Sequence, residues 1–170
     1  CVALKMTLMA CKIQCPAGGP KNSLTRGGMT IGYFDEFYTW SDARSCCVAM
    51  GGDLVVITSD SVNQLAQDVQ DQENDEFHAW IGVEYTSDGY QWVDGTPVEP
   101  YEQWGFGQPP TQGAGRGAIV RWTDGKWITV GKDQTRRFMC TLPSDGGDDG
   151  DGSNGDGDTS QVSHDHYVFE

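Results

Sequence analysis

The sequence predicts an α+β fold in which helices and strands are segregated, and three observations carry that expectation. Two stretches, from Trp40 to Met50 and from Val62 to Val69, repeat apolar residues at helical spacing. Apart from one short run between them, at Leu54 to Ile57, β-rich runs precede and follow the helices, a segregation that argues against a βαβ sheet. One irregular stretch, Asp94 to Gly117, interrupts the second half with Gly, Pro and Gln. Loops beyond about 15 residues are uncommon and usually functional.

Taken in order, 16–28 is rich in Gly, Pro, Asn and Ser and reads as loop. Met29 to Tyr38, with Ile31, Tyr33, Phe34 and Phe37, reads as a strand. Trp40, Ala43, Cys47 and Met50 then form one apolar stripe, with Thr39 or Ser41 as cap and Gly51-Gly52 as stop. Leu54 to Ile57 is a short buried strand, and Thr58 to Ser61 supplies N-cap candidates for the second helix. That helix presents Val62, Leu65, Ala66 and Val69 and fades by Asn74. His78 to Tyr85 is strand-like around Trp80-Ile81-Gly82-Val83. Ala118 to Trp122, Trp127 to Val130 and Arg137 to Thr141 close the order as three strands, the first two joined by the turn Thr123-Asp124-Gly125-Lys126.

Composition excludes several functions. The chain has 170 residues, 11 Lys and Arg against 25 Asp and Glu, and a net charge of −14. That field repels nucleic-acid phosphates and anionic membranes. No run approaches the roughly 18–20 apolar residues of a membrane span. Residues 141–170 hold eight acidic residues and no Lys or Arg, so over half the net charge lies there. Three segments follow: an N-terminal Cys-containing segment (1–29), a folded domain (30–142) and an Asp/Gly-rich tail (143–170).

Six cysteines, Cys1, Cys11, Cys15, Cys46, Cys47 and Cys140, fit an oxidising, extracellular setting and a secreted protein. No His near the close pairs completes a zinc set. Numbering from Cys1 suggests a processed chain or a fragment. His78, His164 and His166 sit in no catalytic motif, so no enzyme is expected.

Five segments in order resemble the C-type lectin-like family: Trp40-x-x-Ala43-x-x-x-Cys47-x-x-x-Gly51-Gly52-x-Leu54-Val55; Trp80-Ile81-Gly82-Val83; Trp92-x-Asp94-Gly95-Thr96 with Tyr101 and Trp104; Gly125-Lys126-Trp127; and Phe138-Met139-Cys140. The resemblance implies two helices flanking small antiparallel sheets, with a long loop that meets the ligand. It implies a disulfide between Cys47 and Cys140, and core positions for Trp40, Trp80, Trp92, Trp104 and Trp127. Trp122 has no counterpart and is expected to be the exposed aromatic.

The sequence departs from the family where sugar-binding members hold calcium (Ca2+). The loop triplet is Gln108-Pro109-Pro110, and Pro110 offers no side-chain oxygen. The pair after Trp127 is Ile128-Thr129, a poor source of the six to eight oxygens calcium takes. Glu99, Glu102 and Gln108 are candidates for a rearranged set. Gly117 and Lys132 replace the cysteines of the family's loop-base disulfide, so the loop is expected to be less tethered. Cys1, Cys11, Cys15 and Cys46 leave the remaining pairing open. Cys46 faces away from the Cys47 side of the helix; a bond to the N-terminal segment or an intermolecular bond, giving self-assembly or hetero-assembly, would use it.

The tail reads DGGDDGDGSNGDGD from Asp145 to Asp158, the composition of a solvated linker. Asp149, Asp151, Asp156 and Asp158 are its candidate cation ligands. Asn154, Asp156, Asp158 and Asp165 match an EF-hand loop only partly, since Thr159 replaces the turn glycine. The functional expectation is a non-enzymatic recognition or structural module for an extracellular protein or glycan, with Gln108, Arg116, Arg121 and Trp122 as contacts. A lectin with a nonstandard site and a matrix or mineral-associated protein are the alternatives.

Overall fold

A computed structural model describes residues 14–71 and 78–143. Its elements are β1 (Asn22–Arg26), β2 (Met29–Tyr38), α1 (Trp40–Ala49), β3 (Asp53–Leu54), α2 (Asp60–Asp71), β4 (Ala79–Thr86), β5 (Gly89–Trp92), β6 (Arg116–Val120), β7 (Trp127–Gly131) and β8 (Arg136–Leu142). The strands join in one network, ordered β1-β2-β8-β4-β6-β7, with β3 on β8 and β5 on β4. All pairs are antiparallel except β4 with β8. That parallel pair lies at the centre of the order, and Trp80 faces Phe138 across it.

One strand corrects the sequence reading and another adds to it. The stretch 16–28 contains β1, which pairs with β2 from Asn22↔Tyr33 to Arg26↔Met29. Its residues NSLTR are polar apart from Leu24 and largely exposed, so no alternation of apolar residues announces a strand. The signal present was Gly27-Gly28, whose φ values of 59° and 78° suit a two-residue hairpin turn. Similarly, β5 returns on β4 through Asp88-Gly89. Conversely, Leu54 to Ile57 is strand only at Leu54, although Val55 and Ile57 are fully buried.

Helix α1 starts at Thr39, whose hydroxyl accepts from the Asp42 amide at 3.2 Å. It stops in a Schellman turn: Gly51 N–H donates to Val48 O and Gly52 N–H to Cys47 O. Gly51 supplies the positive φ of 85°, while Gly52 has a different task. A Cβ there would lie 1.7 Å from the Thr141 carbonyl, so only glycine lets β3 close on β8.

Trp40, Ala43, Cys46 and Cys47 are buried on α1. Cys47 is bonded to Cys140, and Cys46 to Cys15. Cys46 thus points off the Cys47 side yet is sealed by the N-terminal strap. Helix α2 begins at Ser59, whose hydroxyl accepts from Val62 N–H and whose carbonyl accepts from Asn63 N–H. Leu65, Ala66 and Val69 bury. Asn63 bridges α2 to the β6–β7 hairpin, accepting from Trp127 Nε1 at 2.9 Å and donating to Gly125 O at 3.3 Å.

Trp40 packs against Gly117 and Lys132, the two positions where cysteines are absent. Its ring lies where a Cβ on Gly117 would fall 2.7 Å from Cδ1, and Lys132 Nζ stacks 4.6 Å from its centroid. Installing Cys at both Gly117 and Lys132 is therefore expected to lower stability by about 1–3 kcal/mol through overpacking rather than raise it. A thermal melt of the oxidised double variant checks this; a higher midpoint would contradict it.

Candidate functional site

The long loop runs over 93–115, from the end of β5 to the start of β6. Its first limb is a tight turn in which Asp94 accepts from Thr96 N–H at 2.9 Å and Thr96 Oγ1 at 2.6 Å. Val98 then buries against the core.

The middle of the loop is tied to both α2 and β7. Tyr101 donates its hydroxyl to Asp60 Oδ1 at 2.8 Å, and Gln103 Nε2 donates to the same oxygen at 3.1 Å. Trp127 N–H donates to Gln103 O at 2.7 Å, and Gly105 N–H donates to Trp127 O at 2.8 Å. Under this ladder lies an aromatic cluster. Trp127 meets Trp92, Tyr101 and Trp104 edge-on at 5.3, 6.0 and 5.6 Å, and Trp104 meets Tyr90 at 5.6 Å. Edge-to-face pairs at these separations add about 0.5–1.5 kcal/mol each beyond burial. The loop is consequently well held, in contrast to the weak tether expected from the lost disulfide. Trp40, Trp80, Trp92 and Trp127 are buried, whereas Trp104 is half-buried at the edge of the cluster.

Burial, reinforced by the Asp60 acceptor, pushes the Tyr101 phenol up to about 12 from its ordinary 10.0. Because the folded pKa is raised, the stabilisation is complete below about pH 10 and is lost as pH climbs through about 12. A phenolate absorbance titration should show Tyr101→Phe losing a phenol from the top of the curve. An unchanged high-pH limb would contradict the assignment.

The second half of the loop meets β7 through Gln108. Gln108 N–H donates to Gly105 O at 3.0 Å. Its Oε1 accepts two hydrogen bonds from Thr129, from N–H at 3.1 Å and from Oγ1 at 2.8 Å. Arg116 Nη1 donates to the Thr129 carbonyl at 3.2 Å. Gln108 and Arg116 therefore converge on one residue. Arg121 instead pairs with Asp124 inside the β6–β7 turn. That turn is closed by Arg121 N–H to Lys126 O and Gly125 N–H to Arg121 O. Trp122, beside that turn, is half-buried rather than the fully exposed ring expected.

The most exposed aromatic among the described residues is Phe106. Its relative exposure is 108%, against 50% for Phe37 and 54% for Val48, the other large exposed hydrophobics among the described residues. It stands between Gly105, pinned to Trp127, and Gly107, whose φ is 73°. Sequence reasoning passed over it, although Gly-Phe-Gly inside a loop was a legible signal. A ring flanked by glycines has no local side chains to cover it.

The residues at the family's calcium position do not fit the ion. Gln108 Oε1 already accepts from two donors, and Pro110 and Ile128 contribute no side-chain oxygen. The rearranged set does not converge either. Glu99 and Glu102 line a cleft of about 320 Å³ with Asp88, Tyr90, Trp104 and Pro109, while Gln108 turns to Thr129. Among the described residues, no three His, Cys, Asp or Glu are grouped to hold a metal. Asp149, Asp151, Asp156 and Asp158, with Asn154 and Asp165, lie outside the described residues.

The family described as Lectin C-type domain matches residues 36–142. The chain belongs to the C-type lectin family. Asialoglycoprotein receptor 2 of Mus musculus is 30% identical over 127 residues, covering 71% of this C-type lectin chain but 41% of the receptor. A chain of the snaclec coagulation factor IX/factor X-binding protein of Echis carinatus is 28% identical over 120 residues, covering 64% of this chain and 88% of the snaclec chain. Human lithostathine superimposes with a TM-score of 0.65 at 23% identity, covering 74% of this chain and 99% of that one. The mouse scavenger receptor C-type lectin carbohydrate-recognition domain does so at 0.62 and 23%, over 73% of this chain and 95% of that one. C-type lectin domains bind ligands, glycan or protein, and are not enzymes; this domain is one of them. No helix among the described residues is long and apolar enough to cross a membrane.

Proposed function

We propose that this domain is an extracellular recognition module that binds a protein ligand through its long-loop face, with Phe106 as the anchor. The observation that carries the reading is the fully exposed Phe106 ring on a loop braced from beneath. Interface hot spots are rigidly presented aromatics ringed by polar groups. Gln108, Arg116, Arg121 and Trp122 lie on or beside the loop base and form the rest of the contact surface. The relatives' names span both ligand classes, one naming asialoglycoprotein and the other coagulation factors. The poor fit for calcium favours the protein class, since calcium-bridged sugar binding needs the oxygens that Pro110 and Ile128 lack. A glycan array run with and without EDTA tests this. Strong EDTA-sensitive monosaccharide binding would overturn the protein reading, and silence on the array would support it.

A further inference from the structure

We propose that Thr129 takes the place of a metal ion in this loop, fixing 103–110 in its ligand-presenting shape through hydrogen bonds that add to the aromatic packing beneath it. A side-chain carbonyl oxygen has two lone pairs. On Gln108 both are met by Thr129, one by the backbone N–H at 3.1 Å and one by the hydroxyl at 2.8 Å. A calcium ion at its usual distance of about 2.3–2.6 Å would have to displace both donors. The Arg116 guanidinium, bonded to the Thr129 carbonyl at 3.2 Å, adds a fixed positive charge to the same corner and opposes a divalent cation there. The two neighbouring positions, Pro110 and Ile128, supply no compensating oxygen.

The consequence for the loop is mechanical. Residues 103–105 are held to β7 by the Trp127 backbone, and residue 108 by Thr129. Phe106 is thus carried between two fixed points three residues apart. Thr129 is a positioning residue for that ring. Its strand places it inward, 5% exposed, between Ile128 and Val130. The functional consequence, recognition that survives chelation, rests on the long-loop reading above, but the shape of the loop is measurable without any ligand.

The test is amide hydrogen exchange on the full chain in calcium chloride and in EDTA. The reporters are the amides of Gly105, Gln108, Trp127 and Thr129, each bonded within the lock. Their rates should agree within about fivefold between the two conditions. Loss of one buried hydrogen bond corresponds to roughly fivefold or more in local opening. Thr129→Val should therefore speed exchange at Gln108 by about fivefold or more, and Thr129→Ser should return it toward wild type. Gln108→Ala breaks the same pair from the half-exposed side and should reproduce the effect if the β7 variant misfolds. Calcium slowing these amides more than fivefold would overturn the proposal, as would normal exchange in both Thr129→Val and Gln108→Ala.

Discussion

Replacing Cys47 and Cys140 together by alanine is expected to cost about 4–5 kcal/mol. The bond closes a sequence separation of 93 residues, joining the buried face of α1 to β8 in the middle of the sheet. Loop-entropy arithmetic gives a separation of 31, that of Cys15–Cys46, about 1 kcal/mol less. Position amplifies the contrast. Cys47 and Cys140 pack with Phe34, Trp40, Leu54, Trp80 and Phe138, so truncating both also leaves a void in that cluster. Against a typical total of about 5–15 kcal/mol, that loss removes roughly a third or more of the stability. Urea melts of the two paired-alanine variants measure this. A smaller loss for the Cys47–Cys140 pair than for the Cys15–Cys46 pair would show the entropic argument to be wrong here.

Phe106→Ala is expected to leave stability within about 0.5 kcal/mol of wild type, because the ring touches little of its own domain. Its effect on ligand affinity should be about 2 kcal/mol or more, roughly thirtyfold, if the ring is the anchor of the face. The two readouts separate a contact role from a packing role. Calorimetry or surface binding with a ligand recovered by screening gives the affinity, and a melt gives the stability. Equal affinity in both proteins would remove Phe106 from the binding surface. Reduced stability with reduced affinity would mean that the ring braces the loop instead of meeting the partner.

The legibility of this domain in its sequence varied with the range of the interaction. Helix α1 could be read because its cap, stripe and stop are all local: Thr39, then Trp40, Ala43 and Cys47, then Gly51. Helix α2 could be read for the same reason. Strand β1 could not, because NSLTR offers the core a single apolar residue, Leu24, and becomes a strand only by pairing with β2. The role of Gly52 was half visible: as a helix stop it was legible, but the Thr141 carbonyl that excludes a Cβ is 89 residues away. At the site, Gln108 stood out by its place in the loop triplet. What it does there depended on Thr129, which spacing alone presented only as a weak calcium ligand.

The sequence by itself determined the family and the α+β order, because helix periodicity, turn chemistry and the spacing of Trp and Cys are properties of the chain read along its length. It also determined that the usual calcium oxygens are missing, since Pro110 and Ile128 have none to offer. Only the tertiary structure decided that Cys46 joins Cys15, that Gln108 of the long loop bonds Thr129, and that Phe106 rather than Trp122 is the loop-side ring most exposed to solvent. The physical reason is that exposure and hydrogen-bond satisfaction belong to a residue's neighbours in space. Those neighbours come from β7, α2 and the N-terminal strap, far from the loop in the chain.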